Sequence, residues 1–165
     1  MFRKIIVGFV IVVAGLQFIP KKLDNRGKLD TAAAIDVVYP VPDSVMVILK
    51  SSCYDCHSNA TAYPWYASIQ PLSMWINHHV NEGKGELNFS EFGNYRIAKQ
   101  FHKLHEIEEQ VEEGEMPLSS YTLIHRKAKL SDSQKNLIFN WSKQLQDTLK
   151  SRYPADSLVM KRKGH

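Results

Sequence analysis

Cys53, Cys56 and His57 sit in the run CYDCH, and no other cysteine occurs in the 165 residues. The fold must therefore serve one close-spaced thiol pair followed at once by an imidazole. On a helical turn, side chains three and four residues apart share a face. Both thiols could then add to two vinyl groups of one porphyrin, with His57 reaching the iron as an axial ligand. The motif reads as a covalent haem c attachment site. Other readings of a CxxC stay open: half a zinc site, a thioredoxin-like redox pair, or a plain disulfide. No second close-spaced Cys/His knuckle follows, although scattered histidines could complete a zinc set, and no βαβ pattern surrounds the pair.

The other end of the chain bears on location. After Arg3 and Lys4, Ile5 to Ile19 runs fifteen residues without a charge. As a helix such a run spans about 22 Å, short of a hydrocarbon core of about 30 Å, which is the size of a signal-peptide core. The bulky Leu16-Gln17-Phe18-Ile19-Pro20 stretch offers no small-x-small cleavage site. The expectation is an uncleaved signal anchor over residues 1–19, with Arg3 and Lys4 cytoplasmic and the domain on the periplasmic, extracytoplasmic side. A cleaved signal or lipidation is the alternative, and no cysteine lies near the segment for a lipoprotein. Residues 20–41, rich in Lys21, Lys22, Asp24, Asn25, Arg26 and Lys28 and closed by Pro40 and Pro42, read as a linker. One compact domain is expected over residues 42–153, and a polar tail over 154–165, where Lys161, Arg162 and Lys163 would solubilise the end.

The net charge of +4 comes from the ends: from Pro42 to Tyr153 there are twelve Lys plus Arg and thirteen Asp plus Glu. Nucleic acid is not an expected partner. The acidic run from Glu106 to Glu115 and the basic Arg126, Lys127 and Lys129 read as solvated helix faces; a docking surface for a redox partner is the other reading.

Within the domain the pattern is helical. Asp43 or Ser44 after Pro42 suits an N-cap for a helix that carries Val45, Ile48 and Leu49 into the motif. Some rings of Tyr63-Pro64-Trp65-Tyr66 are expected on a porphyrin, or else in an aromatic mini-core. Leu72 to Val80 reads as a short helix bearing Trp75, stopped by Gly83 and Gly85. From about Tyr95 to Glu113, Ile97, Phe101, Leu104 and Val111 form an apolar stripe interrupted by Glu108. Ser131 and Gln134 make a capping box, and Leu137, Ile138, Trp141, Leu145 and Leu149 give the buried face of the last helix. Met46 and Met74 read as core. No strand-like alternation competes, so the fold class is all-α.

Gly114-Glu115-Met116-Pro117 lies between the last two long helices. Gly114 ends the acidic helix and Pro117 extends the backbone at Met116, freeing its thioether. Met116 is the expected distal ligand, and Met/His ligation suits electron transfer. If Met116 only packs on apolar neighbours, His79 or His78 is the next candidate, ahead of His102, His105 and His125.

The order of elements resembles class I cytochromes c, and its middle resembles the small bacterial haem-binding domain family. The motifs that carry the resemblance are CYDCHSN at 53–59, YPWY at 63–66, HHVNEGKGELNFSEF at 78–92, GEMPLSSYTLIH at 114–125 and the LSDSQ helix start. The resemblance implies an exported, membrane-tethered monohaem protein, with Cys53 and Cys56 as thioether sites, His57 proximal and Met116 distal. Pro71, or equally Pro64, could match the proline whose carbonyl orients the proximal imidazole. Lys84 stands where an arginine is expected, which leaves a propionate contact there open. The stretch from Asn77 to Phe92 has no counterpart in ordinary cytochromes c.

The expected function is therefore carriage of single electrons between redox partner proteins through one covalent haem c, with no catalysis required. The rival is a haem-based gas or peroxide sensor or enzyme with an open sixth position, using His78, His79 or His105. A zinc or disulfide structural domain is the third reading.

Overall fold

The computed structural model describes residues 1–160. Lys161, Arg162 and Lys163 lie outside the described residues. The chain forms α1 (Phe2–Leu16), α2 (Ile35–Val38), α3 (Asp43–Ser52), α4 (Tyr54–His57), α5 (Leu72–Glu86), α6 (Ile97–Glu112), α7 (Ser119–Ile124) and α8 (Asp132–Arg152). Short 3₁₀ turns at Trp65–Ser68, Phe89–Asn94, Arg126–Ala128 and Ala155–Leu158 join or follow them. Among the described residues there is no strand, only an isolated bridge between Arg26 and Ala60. The all-α reading holds.

The packed pair α6 and α8 is the frame. Leu104 from α6 meets Trp141, Leu145 and Leu149 from α8, and all four are buried. Two polar contacts fix their register. The Ser142 hydroxyl donates to the Leu104 carbonyl (2.8 Å), and the Gln146 amide donates to Glu108 (2.6 Å). The latter explains why a carboxylate interrupts the apolar stripe of α6: its charge is answered from the neighbouring helix. The capping box of α8 forms with both halves present, Ser131 accepting from the Gln134 amide and Gln134 reaching back to Ser131.

Several local expectations are corrected. Leu137 is 41% exposed, because Ile138 occupies the inward position next to it. Helix α3 starts one residue earlier than a side-chain cap would require: Pro42 is the N-cap and Asp43 is already helical, with no side-chain cap bond. Gly83 and Gly85 do not stop α5, which runs through both to Glu86. Residues 20–41, read as a free linker, pack instead against the domain: Ala34 and Ile35 are buried, as is Asn25. The Asn25 amide donates to the Ser58 carbonyl (3.0 Å) and to Thr61 (2.9 Å), and Lys84 donates to Asn25 Oδ1 (2.8 Å). The tail is not wholly polar either, since Leu158 joins the main core.

Helix α1 buries none of its residues. Its end is fastened to the domain by a reciprocal amide pair: Gln17 Nε2 donates to the Gln70 carbonyl (3.0 Å) and Gln70 N–H donates to Gln17 Oε1 (3.1 Å). Among the described residues no helix is long and apolar enough to cross a membrane.

Candidate functional site

Helix α3 ends where Cys53 leaves helical geometry (φ −124°, ψ −39°), and a single further turn, α4, brings His57 inward. His57 Nδ1 lies 3.0 Å from the Leu87 carbonyl oxygen. A carbonyl only accepts, so Nδ1 carries the proton and Nε2 keeps its lone pair. Burial pushes the His57 pKa down and Lys103 adds to that, while hydrogen bonds to the Leu87 and Gly83 carbonyls oppose it. A neutral imidazole with a bare Nε2 is the form that ligates metals.

Leu87 was not legible as a site residue. It caps α5 beyond Glu86, and Leu87 and Asn88 are extended before the 3₁₀ turn at Phe89, so the Leu87 carbonyl is available to a side chain. The proline assignments are corrected by this contact. The Pro71 carbonyl accepts from Trp75 N–H (3.2 Å) and the Pro64 carbonyl from Ala67 N–H (3.0 Å), so neither orients His57. The stretch from Asn77 to Phe92 thereby gains a role: it supplies the carbonyl that holds the ring, together with Phe89, whose ring lies edge-on to the imidazole at 6.4 Å.

His57, Cys53 and Met116 line one cavity of about 320 Å³. Its walls include Leu49, Leu87, Phe89, Val111, Leu130 and Ile138, and Lys103, Glu86 and Glu106 supply charge. Met116 is held there by the turn after α6. Gly114 takes a positive φ of 78°, and Met116 N–H donates back to the Gln110 carbonyl (3.0 Å). The side chain packs against the small core of Ile48, Val111, Leu130 and Ile138. Lys103, another residue that sequence reasoning passed over, is buried although charged. Its ammonium meets Glu106 (2.5 Å) and Glu86 (3.1 Å). Burial works to lower its pKa, and the two carboxylates outweigh it, leaving Lys103 above its ordinary range. The available signal was a lysine directly beside Leu104 on the buried side of an amphipathic helix.

Cys56 is placed differently from Cys53. It lines a separate cavity of about 50 Å³ with Tyr66, Trp75, Tyr121, Ile124 and His125. The cause is the break at Cys53, which keeps the two cysteines from lying on one continuous helix. Both are free thiols. Burial pushes Cys53 up to about 12, with Cys56 adding to it, and burial pushes Cys56 up to about 11, with Asp55 adding to it. Both thiols are therefore protonated at neutral pH.

The remaining candidates do not share the Met116 cavity. His78 pairs with Glu82 (3.2 Å) on the outer side of α5, while His79 lies 3.7 Å from Glu82 and lines the small cavity that Cys56 also lines. His102 and His105 pair with Glu106 and Glu109 along α6 (3.0 and 3.3 Å). His125 stacks on Tyr121 at 4.4 Å and lies 2.5 Å from the Tyr66 hydroxyl. Tyr121 in turn donates to Asp55 (2.6 Å). Of the YPWY rings, Tyr66 lines the Cys56 cavity, Trp65 meets the Tyr66 ring edge-on and is 79% exposed, Tyr63 lies under Arg26, and none lines the larger cavity.

An imidazole with a free Nε2, a thioether and a thiol around one mostly apolar cavity is a donor set that fits an iron porphyrin. The cavity volume lies at the lower end of the range of about 300–1,000 Å³ typical of cofactor and ligand sites. Among the described residues no three or more His, Cys, Asp or Glu side chains are grouped to hold a metal ion by themselves. Compared with known families, residues 11–144 match the model of a haem-binding domain. Neither the curated proteins nor the solved structures give a match.

Proposed function

The chain belongs to the haem-binding domain family, and from that membership we propose a monohaem c-type electron carrier. In this reading Cys53 and Cys56 would hold the haem through two thioethers, each S–H adding across one vinyl group, sulfur to one carbon and hydrogen to the other, with no net oxidation. His57 Nε2 and the Met116 sulfur would be the protein's donors to the iron. The observation that carries the reading is that Met116 is the one candidate distal donor lining the cavity that His57 lines.

A bound haem iron would supply the one-electron ferric/ferrous couple. The protein's part is to hold the donors and keep water out. Leu87 fixes the tautomer and the ring plane of His57, so that the lone pair needs no reorientation when iron binds. The apolar walls and a thioether ligand favour the less charged ferrous state, which raises the potential. Lys103 at the cavity would meet the carboxylates of the cofactor. Helix α1, with its apolar side chains exposed, is assigned the role of a retained export signal that keeps the domain beside a membrane on the extracytoplasmic side, where it exchanges electrons with redox partner proteins.

The test is to produce the full chain in a host that matures c-type cytochromes. One haem mass added to the polypeptide and a pyridine haemochrome typical of two thioethers are expected. Met116→Ala should keep the haem and lose the weak sulfur-to-iron band at the red end of the ferric spectrum. A colourless chain without added mass overturns attachment. An unchanged red-end spectrum in Met116→Ala removes Met116 from the iron.

A further inference from the structure

Large apolar side chains are exposed around the point where α1 meets the domain. Ile69 is 38% exposed, Leu72 41%, Met74 52%, Trp75 41% and Trp65 79%. Met74, expected in the core, faces outward. Two cavities on different sides of α5 border several of them. Leu72 and Trp75 are three apart on α5 and share a face. Met74 and Ile19 border one cavity beside the Gln17–Gln70 pair. On the far side, Trp75 and Ile124 border another cavity with Tyr66, whose ring meets Trp65 edge-on at 5.8 Å. Next to Ile124, Leu123 is 76% exposed.

Tryptophan with aliphatic neighbours is the composition favoured at a membrane–water interface. Exposed cations flank the patch, Lys21 and Lys22 after the junction with α1 and Arg126 and Lys127 after α7, while Glu82 is the carboxylate on the cavity that Met74 borders. Geometry selects the occupant. Helix α1 has 15 residues and is pinned to Gln70 by two hydrogen bonds, so no slack chain separates it from the domain. A short apolar helix clamped in this way brings the surface beside its own end against whatever α1 enters.

We propose that the face formed by Trp65, Ile69, Leu72, Trp75 and Leu123 rests on a lipid bilayer, so that the Cys56 side of the domain is held toward the membrane. This rests on the reading of α1 as a membrane tether, and it adds a fixed orientation to it.

Single-cysteine variants of the full haem-loaded chain test the orientation. With Cys53 and Cys56 consumed in thioethers, the introduced thiol alone takes a nitroxide label. The sites are Trp65→Cys and Leu123→Cys, both highly exposed, with Lys143→Cys on α8 as the aqueous reference. Each is reconstituted into vesicles of phosphatidylethanolamine with phosphatidylglycerol, recovered by flotation, and read by collision with oxygen against a water-soluble nickel chelate. The labels at positions 65 and 123 should show an oxygen-to-nickel ratio several-fold above that at 143. Flotation with equal ratios at the three sites overturns the docked face and leaves the tether standing. Failure to float overturns the tether and the docking together.

Discussion

Gly83 and Gly85 stand two residues apart in one helix and serve opposite ends. A β-carbon at Gly83 would lie 3.0 Å from both the Cys56 Cβ and the Cys56 carbonyl oxygen, whereas one at Gly85 would meet nothing within 4 Å. Alanine gains about 1 kcal/mol over glycine in a helix, and overpacking against backbone costs about 1–3 kcal/mol. Gly85→Ala should therefore stabilise the protein by about 0.5–1 kcal/mol. Gly83→Ala should destabilise it by up to about 2 kcal/mol, the steric cost exceeding the helical gain. Thermal melts of the two variants check the signs, and a rise in Tm for Gly83→Ala would show that α5 does not press on the Cys56 turn. Read as a sequence, the two glycines look alike and suggest a helix stop. Only the position of Cys56, far away in the chain, separates them. The same holds at His57: the CxxCH motif announces the imidazole, but its partner is a backbone carbonyl thirty residues on, and a backbone acceptor leaves no mark in side-chain identity.

Between elements, Lys103 ties α6 to the end of α5 through Glu86, and within α6 it reaches Glu106. Its hydrogen bond holds the Glu86 carboxyl below its ordinary value, and the carboxylates hold Lys103 above its own. The signs follow. The Glu86 part of the stabilisation is present above about pH 4.5 and is lost as pH falls through its lowered folded value; the Lys103 part is present below about pH 10.5 and is lost as pH rises through its raised one. Glu86 is 79% exposed, so solvent screens its share. Lys103→Met should cost about 1–2 kcal/mol at neutral pH, because both glutamates remain hydrated once unpaired. It should also flatten the loss of stability at both pH extremes. Urea titrations across pH measure this, and an unchanged acid limb would refute the tie to Glu86. At this scale the sequence was most readable where apolar period and cap chemistry agree, as in α8 with its Ser131–Gln134 box. Helix α2 and the 3₁₀ turns have too few residues to show a period, and tertiary contacts decide them.

Across the whole molecule, the stretch between α1 and α3 decides whether the domain begins at residue 42 or earlier. Its polar side chains suggest a tether, yet the polarity serves internal contacts: Asn25 bonds to Ser58, Thr61 and Lys84, and Gly27 N–H donates to the Asn59 carbonyl at 2.7 Å. Farther on, Gly93 N–H donates to the Ala33 carbonyl at 2.8 Å, and the Tyr39 hydroxyl reaches Gln100 of α6. Polar residues used in this way have the composition of a linker, which is why composition misleads here. The family match from residue 11 to 144 also takes in the whole stretch. Two positions on α2 put the matter to measurement. Ile35 is fully buried in the main core, whereas Val37 is 62% exposed. A buried isoleucine cut to alanine loses about 2–5 kcal/mol, while an exposed substitution away from such features stays within about 0.5 kcal/mol. Ile35→Ala should thus lower the urea midpoint as a core substitution does, and Val37→Ala should leave it in place. If both were neutral, the segment would be a tether after all and the core would close without it.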